Sequence, residues 1–278
     1  MTADAPHALD HSIREAAQAL ESMNVQAPEV FLLLGTGTDD LSASCEELAS
    51  YKLGDLPSCP AAWRESELLT GRASGVRLWA LSDAPLEEAT SWGRAWPIWL
   101  ARSQGAGACL ITAGACPTGD LDGTDFLLAS DHMVMDGSKA LHGIATSTLG
   151  PLFPDQGRVH DEASRASLME AAASSGIPCT TGVLACTPGP SLETPAEREY
   201  YSRAGAQATA QGLGPLLHAM AHSGLPGVCL LPLIGTSHAS VEVLIQRSED
   251  LAPALAELIE RAVPLLASTA QREQEEEL

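Results

Sequence analysis

The residue with the clearest chemical potential lies in one short run, Gly182-Val-Leu-Ala-Cys-Thr-Pro-Gly-Pro-Ser-Leu-Glu-Thr194. An apolar, β-leaning segment enters a Pro-Gly-Pro turn, and Glu193 stands just ahead of Thr194-Pro195-Ala-Glu197. That last string has the form of a helix start. Thr194 suits the N-cap, Pro195 the first helical position, and Glu197 falls three residues after the cap, as a reciprocal capping box requires. Glu193 is therefore placed between the end of a strand and the start of a helix. Ligands of open α/β sheets bind at the carboxyl ends of strands, where a carboxylate can accept hydrogen bonds from ligand N–H groups. The same residues also suit a solvated surface turn, and the run by itself leaves both readings open.

Two small-residue loops follow apolar runs elsewhere. Val30-Phe-Leu-Leu-Leu34 ends in Gly35-Thr36-Gly37, where successive backbone N–H groups can form an anion-binding nest and Thr36 adds a hydroxyl. Gly107-Ala-Cys-Leu-Ile-Thr112 ends in Ala113-Gly114-Ala115, which would let a ligand approach the backbone closely. In both places a plain structural turn with tight packing is the alternative. His132, after Asp131 at the end of another apolar run, reads as a hydrogen-bonded structural histidine. The acids of Thr118-Gly-Asp-Leu-Asp-Gly-Thr-Asp125 lack the terminal bidentate glutamate of a calcium loop, so calcium is rejected.

The elements that position these groups follow from composition and period. With 278 residues, 45% of them hydrophobic, the chain can build a full core as a single unit. A net charge of −21 argues against a nucleic-acid partner and against an anionic membrane surface. No uninterrupted apolar run is long enough to span a bilayer, and the N-terminus lacks the basic patch and apolar core of a signal peptide. Seven cysteines, an odd number without metal-ligand spacing, read as free buried thiols in a reducing compartment. Together these place the protein in the cytoplasm, with no metal.

Leu9, Ile13, Ala16, Leu20 and Met23 recur at helical spacing, with Asp10 placed to cap. Strands are expected at 30–34, 75–81, 107–112, 126–130, 206–211 and 227–234, and residues 43–68 read as a connection or an irregular edge. Glu87 and Glu88 open a helical stretch through Trp92, Trp96 and Trp99, whose spacing suits core packing. Asp161 caps a helix through Leu168 and Met169, and Pro215 starts another through Met220. Two helical stretches close the chain, the second over 253–266, before an acidic tail at 271–278. Strands alternating with helices throughout indicate one α/β domain over residues 1–278, with a largely parallel or mixed sheet and its core at about 25–265.

In this order the pieces match one family. Leu34-Gly35-Thr36-Gly37, Ile111-Thr-Ala-Gly114, Asp131-His132, Phe153-Pro154, Gly189-Pro190-Ser191-Leu192-Glu193-Thr194 and Gly205-Ala206 resemble the trimeric purine nucleoside phosphorylases and the related methylthioadenosine phosphorylases. The resemblance implies a single domain with a mixed, barrel-like sheet flanked by helices, assembled as a homotrimer. It implies cleavage of the N-glycosidic bond of purine nucleosides by inorganic phosphate as co-substrate, with no other cofactor. Glu193 takes the place of the purine-binding glutamate, and Thr236 that of a base-binding asparagine, so the resemblance casts these two as catalytic. Thr36, Arg64, Ala113 and Gly212 fall on phosphate-site positions. Gln211 and Phe153 fall on base and ribose positions, Phe153 reaching into a neighbouring subunit.

One departure stands out. Where the family carries a phosphate-clamping arginine, the alignment places Ala84, and Asp83 stands beside it; a bidentate anion clamp has no conservative replacement. Arg64 could restore positive charge, and Arg72 and Arg94 are further candidates. The alternative to phosphorolysis is a homologue that binds a purine, a nucleoside or another small ligand without cleaving it. A third reading has water replace phosphate, with Glu87 or Glu88 as the base.

Overall fold

In the computed structural model, which describes residues 7–35, 45–82, 84–85, 90–137, 140–144, 147–235 and 240–276 (side chains to residue 271), helices and strands alternate as the sequence predicts. They run α1 (Ala8–Ser22), β1 (Val30–Leu34), β2 (Glu46–Lys52), β3 (Glu67–Ala73), β4 (Val76–Ser82), α2 (Trp96–Ser103), β5 (Ala108–Thr112), β6 (Ala115–Pro117) and β7 (Phe126–Val134). Then come α3 (Glu162–Ser174), β8 (Cys179–Thr187), α4 (Pro195–Ala204), β9 (Ala208–Gln211), α5 (Gly214–Ser223), β10 (Gly227–Pro232) and α6 (Val241–Glu276).

The strands form one mixed sheet of ten, in the order β2-β3-β4-β1-β5-β10-β7-β8-β9-β6. β4, β1, β5 and β10 are mutually parallel, and so are β7, β8 and β9; β7 runs antiparallel to β10, and β6 to β9. β5 and β6 are separated in the chain by Ala113 and Gly114 alone, yet they lie five places apart in the sheet. Laid flat, five strand spacings would span about 24 Å, whereas the three links from Thr112 to Ala115 reach only about 10 Å. The sheet must therefore curl until β9 and β6 return to the end of β5. A bridge between Ala115 and Leu233, just past β10, marks the seam. This is the barrel-like closure.

The central strands are apolar without interruption because helices cover both faces. Phe31, Leu33, Cys109, Ile111, Cys229 and Leu231 point into one core, shared with α1, α2 and α5. Val30, Leu32, Leu34, Leu110, Val228 and Leu230 point into the other, shared with α3 and α6. The tryptophans are core, as their spacing suggests: Trp96 Nε1 donates to Ser12 Oγ at 2.9 Å and Trp99 Nε1 to His222 Nδ1 at 3.0 Å, both buried. All seven cysteines are free; five are buried and Cys45 and Cys179 half-buried.

Residues 43–68 take the irregular-edge alternative, with the edge strand β2 and the start of β3; β2 is mostly exposed and bulged between Glu46 and Ala49, so no alternating pattern announces it. Two expectations change. The two C-terminal helical stretches are one helix, α6, running through Pro253 and Pro264. Each internal proline costs about 3 kcal/mol, but Leu251, Leu255, Leu258, Ile259, Val263 and Leu266 all bury against the sheet or α3. At about 1.5–3 kcal/mol per buried side chain, that stripe outweighs both breaks.

Asp10, finally, does not cap α1; His7 does, its Nδ1 accepting from the Leu9 N–H at 3.1 Å. Asp10 is buried and its Oδ1 accepts from Thr148 N at 2.6 Å and Thr148 Oγ1 at 2.7 Å, tying a distant loop to the helix. Burial pushes its pKa up, yet these bonds and the Ser147 hydroxyl outweigh burial and hold it below the usual value. A depressed carboxylate contributes stability above its ordinary pKa that is lost as pH falls through the folded value. Asp10→Ala should therefore cost about 1–3 kcal/mol at neutral pH in urea unfolding, with the gap narrowing as the solution is acidified. A pH-independent gap would show that the carboxylate's charge plays no part.

Candidate functional site

The seam encloses a cavity of about 340 Å³. Leu34, Gly35, Thr112, Ala113 and Gly114 line it from the ends of β1 and β5, and Thr209, Ala210 and Gln211 from β9. Glu193 and Leu192 come from the turn before α4, and Leu244, Ile245 and Ser248 from the start of α6. The β5–β6 junction that forces the curl is thus also a wall of the cavity.

Glu193 sits where the sequence placed it, between β8 and α4. Thr194 caps α4, its hydroxyl accepting from the Glu197 N–H, while the Glu197 carboxylate accepts from the Thr194 N–H at 2.7 Å. This reciprocal box fixes the backbone one residue from Glu193. The carboxylate itself is held from both sides: Oε1 accepts from Thr187 Oγ1 at 2.5 Å and Oε2 from Thr209 Oγ1 at 3.1 Å. Both threonines are buried, at the ends of β8 and in β9. Each carboxylate oxygen has further lone-pair capacity, so Glu193 is oriented without being saturated. The solvated-turn reading fails on this geometry. The threonines escaped the sequence reading because a buried Thr in a strand is ordinary β-chemistry; only the placement of Thr187 in the Glu193 run hinted at a role.

The first small-residue loop has a structural cause. The Gly35 N–H donates to Thr112 Oγ1 at 2.8 Å, and a Cβ on Gly35 would lie 2.8 Å from the Thr112 carbonyl oxygen. Gly35 thereby lets the ends of β1 and β5 meet. Ala113 and Ala84 both line the cavity, Ala84 supplying no charge where the alignment expects an arginine. Gln211 also lines it, its Nε2 donating to the Ser191 carbonyl at 2.7 Å.

Among the described residues that line the cavity the one cation is Arg94, from the turn just before α2. The other arginines considered do not reach it. Arg64 is exposed, at the end of a short turn over Ala61–Trp63, and Arg72 pairs with Glu47 on the sheet edge. Gly212 differs from its expected role as well. Its N–H is already donated to the Thr187 carbonyl at 2.8 Å, so it does not offer that donor to an anion. Phe153 is 89% exposed and lies outside the cavity of its own chain. Thr36, Thr236, Asp83, Glu87 and Glu88 fall outside the described residues.

His132 is structural in this geometry: its Nδ1 pairs with His160 Nε2 at 3.1 Å in an edge-to-face arrangement. Burial, aided by the neighbouring His132, pushes His160 down to about 4. The acids of the 118–125 segment form local turns, Asp120 Oδ1 accepting from the Asp122 N–H and Asp125 pairing with Arg247.

A family model described as the phosphorylase superfamily matches residues 110–264, more than half of the chain. Purine nucleoside phosphorylase 1 of Bacillus subtilis is 26% identical over 225 residues, covering 77% of this chain and 81% of the relative. Among solved structures, a schistosome purine nucleoside phosphorylase in complex with hypoxanthine superposes with a TM-score of 0.86 at 18% identity, covering 93% of this chain and 98% of that one. Isoform 2 from Schistosoma mansoni, in complex with cytosine and ribose-1-phosphate, gives 0.86 at 20% identity, covering 92% and 96%. The likeness to these structures confirms the mixed, helix-flanked fold.

Gly35→Ala should lower stability by about 1–3 kcal/mol, the usual cost of overpacking, because the new methyl meets backbone. Thermal unfolding measures this, and an unchanged midpoint would mean that β1 and β5 can part without loss.

Proposed function

The chain belongs to the phosphorylase superfamily, and from that membership we propose that its cavity carries out phosphorolysis of purine nucleosides. An oxygen of inorganic phosphate forms a bond to C1′ of the sugar as the bond from C1′ to the purine nitrogen breaks. The electron pair of that bond leaves with the base, which then takes up a proton, and the other product is ribose 1-phosphate. In between, the sugar carbon becomes cationic and the base anionic. Groups preorganised to hold each of these charges lower the barrier. Inorganic phosphate is the co-substrate and no other cofactor is invoked.

The observation that carries this reading is Glu193 in the cavity with both carboxylate oxygens fixed by threonine hydroxyls. A carboxylate so held accepts hydrogen bonds from the ring N–H edge of a purine and orients it. Gln211 stands on the same wall, and Thr236 is assigned to the base with it. Phosphate is assigned to the wall that carries Ala113, with Thr36 its further candidate from the sequence. The hypoxanthine and the ribose-1-phosphate bound in the schistosome relatives are the two kinds of product this chemistry leaves. Exposed Phe153, with little packing in its own chain, suits a residue that completes a neighbour's sugar site, and we assign the protein to a homotrimer on that ground; the cytoplasmic assignment rests on its seven free thiols.

Purified protein should release free base from inosine or guanosine only when phosphate is present, with ribose 1-phosphate as co-product. Glu193→Gln should lower kcat/KM by about 10²–10³, the usual loss when one preorganised polar group is removed, while the fold melts normally. Nucleoside binding that is indifferent to phosphate, with no base released, would establish the non-cleaving alternative. Free ribose as product would point to water as the acceptor.

A further inference from the structure

Among the described residues, no carboxylate forms an ion pair with the one guanidinium that lines the cavity. Arg94 is half-buried and lines the cavity. Its Nε is shielded from solvent without a hydrogen-bond partner among the described residues. Burial lowers its pKa, and the opposing influence is the carboxylate of Asp136, acting through space. A cation taken out of water without a hydrogen-bonded counter-ion is costly. That cost is removed when an anion enters the cavity.

Its position depends on a second residue. The guanidinium lies against the Cα of Gly212: a Cβ built there would fall 2.1 Å from Nη2, 2.3 Å from Nη1 and 2.5 Å from Cζ. A side chain at 212 would force the tip of the arginine to move from this position. Gly212 also holds φ +67, a left-handed conformation that disfavours other residues. Ala84, on the same cavity, contributes only a methyl group to its lining. Two small residues and one inward arginine therefore fit together.

We propose that Arg94 is the phosphate-binding cation of this cavity, seated by the absent side chain of Gly212 and replacing the charge that Ala84 lacks. This rests on the phosphorolytic reading of the site and names the residue that reading left without a clamp. Its planar fork can grip two phosphate oxygens at once, which an ammonium cannot.

The test is isothermal calorimetry of the full-length protein with inorganic phosphate, beside phosphorolysis rates at varied phosphate. Arg94→Met should weaken phosphate binding, and raise the KM for phosphate, by about 10- to 100-fold, while hypoxanthine binding without phosphate stays within twofold. Arg94→Lys, which keeps the charge and most of the packing, should fall between. Gly212→Ala should reproduce the phosphate defect, and the double variant should be no worse than the single ones, since both remove one interaction. Phosphate binding unchanged in both Arg94→Met and Arg94→Lys would overturn the assignment and leave the phosphorylase reading standing. Phosphate binding lost in Arg94→Met, in a protein whose wild type cleaves no purine nucleoside, would uphold the anion site and overturn that reading instead. A wild-type protein that binds no phosphate at all would overturn the assignment.

Discussion

The two-residue junction between β5 and β6 is the constraint on which the rest of the molecule depends. Ala113 and Gly114 are too short to cross a flat sheet, so ten strands must curl until the far edge meets the end of β5. That closure brings β9, with Thr209 and Gln211, to face Thr112 and Gly35 across a cavity. The residues that meet there come from positions about 170 apart in sequence. Only the sheet's curvature makes them neighbours, and the bridge from Ala115 to Leu233 holds that curvature in place.

Within the cavity the same economy of means sets the carboxylate. Glu193 belongs to the turn ahead of α4, and turns are mobile unless tied. Here the turn is tied at one end by the Thr194–Glu197 capping box and at the carboxylate by hydroxyls from two neighbouring parallel strands. Three local rules thus converge on one side chain: a helix cap, a parallel register, and the habit of β-branched residues to fill strands. None of them is specific to catalysis. Their intersection leaves a charged group oriented, half-exposed and able to accept more hydrogen bonds.

Legibility in the sequence follows the same division. The buried strands β1, β5 and β10 and the helix starts at Asp161 and Thr194 were readable because continuous apolar runs and caps are local signals. The edge strand β2 is legible only as an irregular edge, since an exposed strand carries no burial pattern, and α6 reads as two helices because prolines mark local breaks while its packing stripe spans many turns. In the site, Glu193, Ala113 and Gln211 came from an ordered set of short motifs and do line one cavity. Arg64 did not come with them, because a charge near the expected position in an alignment says nothing about which way a loop carries it.

On the proposed assignment, Arg94 and Gly212 make a site that is not legible residue by residue. A binding site needs a charge at a point in space, and the chain can deliver it from any element whose side chain reaches that point. The requirement is volume: the guanidinium occupies its present position because 212 has no Cβ. Read singly, a glycine after a strand looks like a turn and an arginine before a helix looks like a solvated surface group. Their meaning is joint, and it depends on the contact between β9's end and the turn before α2 that the curled sheet creates. On the proposed assignment, a position without a Cβ at Gly212 and an arginine brought from the turn before α2 together supply charge to a cavity wall where Ala84 has none.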